Sequence, residues 1–144
     1  MEAKVLIIED SVDILENIVE ILQLQHFEVI TAKDAITGME LANRVKPDII
    51  LCDILIPGKG GFDVLKFVRN TAGIRSVPFV FVTSQSEKTN IQQAYDLGAS
   101  GYIIKPFDGQ TLIDGVEQLV RERNTATRDP GATTIFPPPA GATQ

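Results

Sequence analysis

"DIILCDILIPGKGG", residues 48–61, begins as an apolar strand and then breaks its own pattern. Residues 49–52 are all apolar, Asp53 arrives where the run ends, and Pro57, Gly58, Gly60 and Gly61 follow within a few positions. Proline and glycine in such density turn the chain sharply. A carboxylate at the tip of a buried strand needs a reason, because an unpartnered charge away from water is costly.

Four more runs share the strand character: residues 4–9 (KVLIIE), 28–32 (EVITA), 78–84 (PFVFVTS) and 101–105 (GYIIK), beside 48–53 (DIILCD) itself. Most are continuous Val/Ile/Leu/Phe stretches, the pattern of parallel strands covered on both faces. Between them the apolar spacing turns helical. Leu15, Ile18, Val19 and Leu22 fall on one face of the first such segment; Phe62, Leu65 and Val68 on one face of the third. Ile91, Ala94 and Tyr95 do the same in the fourth, and Leu112, Val116, Leu119 and Val120 in the fifth. Pro47 and Gly98 stand where helices stop. Five strand–helix alternations with right-handed crossovers predict an α/β fold, a doubly wound, five-stranded parallel sheet.

In such sheets ligands bind beyond the carboxyl ends of the strands. There the sequence places Glu9 and Asp10 after the first strand, Asp53 after the third, Thr83 and Ser84 after the fourth, and Lys105 after the fifth. With the first and third strands adjacent, three carboxylates converge on one pocket beside a hydroxyl and an ammonium. Carboxylates so close repel unless a cation shares the site, and hard oxygen ligands with room for water suit Mg²⁺. A carboxylate is also a nucleophile toward phosphorus. Singly, these residues are ordinary: acids at strand ends cap helices, as Asp10 or Ser11 would, and strand-terminal Lys is commonly solvated. Their joint placement on four strand ends is what helix capping leaves unexplained.

Composition sets the outer bounds. The chain has 144 residues, suited to one domain, with 44% hydrophobic residues, a net charge of −6 and a pI near 4.7. That acidity argues against direct nucleic-acid binding, and no apolar stretch is long enough for membrane insertion. "MEAKVLIIED" does not read as a signal peptide, and a lone Cys52 allows no internal disulfide, so a cytoplasmic location is expected. Composition changes near Asn124, and residues 124–144 are read as a disordered Pro/Thr/Ala/Gly-rich tail or linker stub following a domain at 1–123.

The pair Glu9–Asp10, "DILIPGKGGFDVL" (53–65), "VTS" (82–84) and "GYIIKPF" (101–107) together resemble the receiver domain of two-component response regulators, in order and spacing across roughly residues 3–123. The resemblance, closest to the single-domain chemotaxis-regulator type, implies a flavodoxin-like (βα)5 fold with strand order 2-1-3-4-5. It implies that Asp53 accepts a phosphoryl group from a sensor histidine kinase or histidine phosphotransfer protein. Asp10 and Asp53 would ligate Mg²⁺ directly, Glu9 mainly through water, and the backbone carbonyl of Leu55 would complete the protein ligands. Lys105 would pair with phosphoryl oxygens, Thr83 would swing in to bond them, and Tyr102 would follow from an exposed to a buried rotamer. A cis peptide before Pro106 is implied as well. The protein so described is a switch rather than an enzyme, catalysing only its own phosphoryl transfer and dephosphorylation. Its output would be a downstream protein on the face of the fourth helix, fifth strand and fifth helix, or a phosphorylation-dependent homodimer.

The resemblance implies that Leu55 and Gln85, two residues after the acceptor Asp and the switch Thr, lie where the family varies and where an attacking water must pass; Leu55 is apolar and cannot orient it, which leaves Gln85 as the nearby amide. Ser84 stands where the family has a small residue such as Ala. Cys52 precedes the acceptor and should point into the core on the opposite side, inert. His26 reads as a helix-end residue, Lys88, Asn90 and Gln92 as a solvated helix face, and "IFPPP" (135–139) as linker. Other classes fit less well. A pseudo-receiver scaffold acting without phosphorylation would lack one of Asp10, Asp53, Thr83 or Lys105, and all are present. A flavin or nucleotide protein needs a glycine- or hydroxyl-rich loop where this chain has "EDSVD", and an Asp-based phosphatase needs a second acid where Ile54 and Leu55 stand.

Overall fold

The structure, a computed structural model, describes residues 2–123. The expected tail, with its "IFPPP" segment, lies outside the described residues. Five strands and five helices alternate: β1 (Lys4–Ile8), α1 (Val12–Leu24), β2 (Glu28–Ala32), α2 (Ala35–Val45), β3 (Ile49–Cys52), α3 (Gly61–Arg69), β4 (Phe79–Thr83), α4 (Lys88–Asp96), β5 (Gly101–Ile104) and α5 (Gly109–Arg123). All strand pairs are parallel, as the sequence pattern predicts, and their order is β2-β1-β3-β4-β5, as the family resemblance implied.

Strand side chains alternate between two cores, one on each face of the sheet. Leu6, Ile8, Ile50, Cys52, Phe79 and Phe81 point to the face covered by α2, α3 and α4. Val5, Ile7, Ile49, Leu51, Val80 and Val82 point to the face covered by α1 and α5. Because β3 and β4 are central, neither face reaches water, and both strands read as unbroken apolar runs. Cys52 is buried as expected, its neighbours being side chains of the first core.

The helices start where side chains supply missing acceptors for their first N–H groups. Ser11 Oγ accepts from the Ile14 N–H at 3.5 Å, and Asp34 Oδ1 from the Thr37 N–H at 2.8 Å. Asp10 is therefore not the α1 cap and remains available for other work. Among the described residues, no helix is long and apolar enough to cross a membrane.

Candidate functional site

Register carries the site residues to one level at the carboxyl edge of the sheet. Ile8 pairs with Cys52, and the Asp53 N–H continues the ladder onto the Ile8 carbonyl at 3.0 Å, so Glu9 and Asp53 emerge side by side. Thr83 pairs with Ile104, and the Lys105 N–H donates to the Thr83 carbonyl at 2.9 Å, which sets Lys105 opposite them. The peptide between Lys105 and Pro106 is cis, as the family resemblance implied.

Lys105 holds the centre. Its Nζ donates to Glu9 Oε1 at 2.7 Å and to Asp53 Oδ2 at 2.8 Å. Glu9 and Asp53 are buried, whereas Asp10 is exposed. One carboxylate oxygen each from Glu9, Asp10 and Asp53 lies within 4.8 Å of the others. Burial pushes the Glu9 carboxyl above its ordinary range, despite the Lys105 ammonium and the Ser11 N–H at 3.1 Å. Burial alone would lower the Lys105 ammonium, but its bonds to Asp53 and Glu9, and their charges, outweigh this and raise it. Three carboxylates against one ammonium leave a surplus of negative charge, and their hard oxygens suit a divalent cation such as Mg²⁺. The donor set therefore fits the metal.

The loop from Asp53 to Gly61 is shaped by close approach. The Leu55 N–H donates to Asp53 Oδ1 at 3.3 Å, while the Leu55 side chain stands 61% exposed at the mouth of the site. Gly61 donates its N–H to the Ile54 carbonyl at 2.8 Å, and a Cβ at Gly61 would lie 2.8 Å from Ile54 Cα and closer still to the Asp53 carbonyl oxygen. Only glycine fits there, so the glycine-rich stretch of the sequence is explained by contact as well as by turning.

Thr83 is fully buried, and its hydroxyl accepts from the Gln85 N–H at 3.3 Å, within its own turn. Tyr102 is in the buried arrangement, its hydroxyl donating to the Gln85 carbonyl at 2.5 Å and its ring 6.1 Å from that of Phe81. Burial, joined by the charge of Asp53, pushes the Tyr102 phenol up to about 12. The same causes, burial first and then the Asp53 and Glu9 charges, raise the Cys52 thiol well above its usual value and keep it protonated. The sequence reading missed Asn90, taken as part of a solvated face. It is half-buried, and its Nδ2 donates to Glu87 Oε1 at 3.0 Å and Gln85 Oε1 at 3.5 Å, bracing the turn after β4. A polar residue three positions after Glu87, in the first turn of α4, is the faint signal that could have found it.

Residues 5–117 match the family model of the response regulator receiver domain. Among curated proteins, the chain is 29% identical to protein PilH of Pseudomonas aeruginosa over 82% of its own length and 98% of that protein's. It is 29% identical to the phosphate regulon transcriptional regulatory protein PhoB of Klebsiella pneumoniae and 32% identical to the response regulator PleD of Caulobacter vibrioides. Each of those matches covers 84% of this chain, which spans only 53% of the PhoB length and 27% of the PleD length. Among solved structures, the chemotaxis response regulator CheY4 of Vibrio cholerae superposes with a TM-score of 0.78 at 29% identity, over 83% of this chain and 99% of that one.

Proposed function

The chain belongs to the response regulator receiver domain family, and from that membership we propose that it is a phosphorylation-controlled switch with Asp53 as acceptor. The observation that carries the reading is the placement of Asp53: at a strand end, in contact with Lys105, and beside two further carboxylates. A carboxylate oxygen of Asp53 attacks the phosphorus of a phosphohistidine on a sensor kinase or phosphotransfer protein. The P–N bond breaks as the new P–O bond forms, and the imidazole leaves with the electron pair.

Such transfers pass through a loose transition state, so the surrounding residues act by position and charge. Lys105, already on Asp53 Oδ2, moves its ammonium to the arriving phosphoryl oxygens. Asp10, Asp53 and the Leu55 carbonyl would hold Mg²⁺, with Glu9 acting through water, and the bound ion would supply neutralisation of the remaining oxygens. Thr83 exchanges its bond to the Gln85 N–H for one to the phosphoryl group. That rearranges the turn whose carbonyl holds Tyr102, and so alters the surface of α4, β5 and α5 offered to a downstream protein or a second copy. The switch is no enzyme toward other substrates; it catalyses only its own phosphorylation and dephosphorylation. Exposed Leu55 provides no group to orient water, and the Gln85 side chain is engaged with Asn90.

Intact mass after incubation with Mg²⁺ and acetyl phosphate tests the assignment. One phosphoryl group on the wild type and none on Asp53→Asn is the expected result. An unmodified wild type would instead favour a scaffold that works without phosphorylation.

A further inference from the structure

Among the described residues, Tyr95 is the exception to an otherwise satisfied set of buried polar side-chain atoms. Its hydroxyl oxygen is shut off from solvent and has no hydrogen-bond partner among the described residues. A buried hydroxyl without a partner carries its desolvation penalty uncompensated, and each such group in a native fold calls for an explanation. The ring packs against the core under α2, α3 and α4, and burial pushes the phenol up to about 12.

The helix that carries it is lightly held. α3 and α4 both have 9 residues, yet α3 buries Gly61, Val64, Leu65 and Val68, while α4 fully buries only Ile91 and Ala94. At its start Glu87 makes no side-chain cap bond. Beside Tyr95 lies a cavity of about 390 Å³, whose lining includes Arg69, Arg75, Ser76, Ser100, Leu119 and Glu122. It has room for water, and it offers hydroxyl and carboxylate oxygens that a phenol can use.

We propose that Tyr95 has two positions and that its choice between them sets how firmly α4 is anchored. In one, seen here, the ring lies against the core and its hydroxyl has no partner. In the other the side chain turns into the cavity, water and the oxygens of Ser76, Ser100 or Glu122 satisfy the hydroxyl, and α4 keeps only Ile91 and Ala94 in the core. The two positions are matched because each forfeits something: hydrogen bonding in the first, ring burial in the second. The effect reaches the carboxylate site because α4 begins directly after the turn that joins Thr83, Gln85 and Tyr102. Tyr95 and Tyr102 are also close enough for the charge of one to raise the pKa of the other.

Native-state hydrogen exchange on the unphosphorylated chain tests this without any phosphodonor, so its failure is separable from a failure of the acceptor assignment. Tyr95→Phe has no hydroxyl to satisfy and should stay in the core. Amides of α4 should then exchange about tenfold more slowly, with α1 and α3 unchanged, on the scale set by one unsatisfied hydroxyl. Unchanged or faster exchange in α4 would overturn the proposal. A second measurement uses wild-type protein with its two tyrosines labelled at Cζ, which lies on the ring-flip axis. Relaxation dispersion at Tyr95 on the microsecond-to-millisecond scale is expected, and a resonance without it would overturn the proposal equally.

Discussion

Lys105 pairs its one ammonium with two buried carboxylates, which makes it the residue on which the resting site depends. Removing one member of such a group leaves the others buried and uncompensated, at a cost of about 3 kcal/mol. Lys105→Met should therefore lower unfolding stability by roughly that amount in metal-free buffer, as denaturant titration would show. Mg²⁺ should recover more stability in the variant than in the wild type, since the cation takes over the missing charge. An equal gain in both would contradict the electrostatic account. Gly61 makes the second residue-scale case. Gly61→Ala drives a methyl group against the Asp53 carbonyl and Ile54 Cα, so either α3 or the acceptor strand end must shift. Overpacking of this kind costs about 1–3 kcal/mol, and phosphorylation by acetyl phosphate should slow along with it. Stability and rate both at wild-type level would show that the loop yields freely.

At the scale of elements, β4 and β5 carry the aromatic layer that links the site to α4. Phe81 stands edge-on to Phe79 at 5.1 Å and to Phe62 at 5.3 Å, with Tyr102 beyond it. Tyr102 and Tyr95, the only tyrosines of the chain, are both pushed up to about 12 by burial. A folded-state value above the unfolded one, near 10, means that these groups contribute stability that is complete below about pH 10. That contribution is lost as pH rises through about 12. Ultraviolet difference titration of Tyr95→Phe, in which Tyr102 is the one remaining tyrosine, should accordingly show little tyrosinate until the fold itself gives way, and ionisation near pH 10 in the folded chain would place that phenol in water. The strands and helices were legible because short unbroken apolar runs alternate along the chain with segments of helical spacing, near 3.6. Asn90 was not legible, since a polar residue in a helix's first turn has the same spelling whether it braces a loop or meets solvent. Nor was the orphaned hydroxyl of Tyr95, because the helical period that aims its ring at the core is silent about a partner for its oxygen.

On the scale of the whole molecule, topology does what no single residue could. Parallel strands bring every carboxyl end to one edge, so residues as distant in sequence as Glu9, Asp53, Thr83 and Lys105 become neighbours. Motif spacing therefore revealed the membership of the site, while the pairing of Lys105 with both Glu9 and Asp53 emerged only from the register of β1, β3 and β5. That Thr83 is turned toward the Gln85 N–H, with Tyr102 already buried, likewise depends on rotamers rather than on sequence pattern. The central claim is that this converging edge makes Asp53 the phosphoryl acceptor. Its most direct test is borohydride trapping after treatment with acetyl phosphate, followed by peptide mapping, because borohydride reduces an acyl phosphate to the alcohol and marks the carboxylate that carried it. The account predicts reduction at residue 53 alone, and only when Mg²⁺ is present. Reduction at Glu9 or Asp10, or reduction at Asp53 undiminished by a chelator, would contradict it.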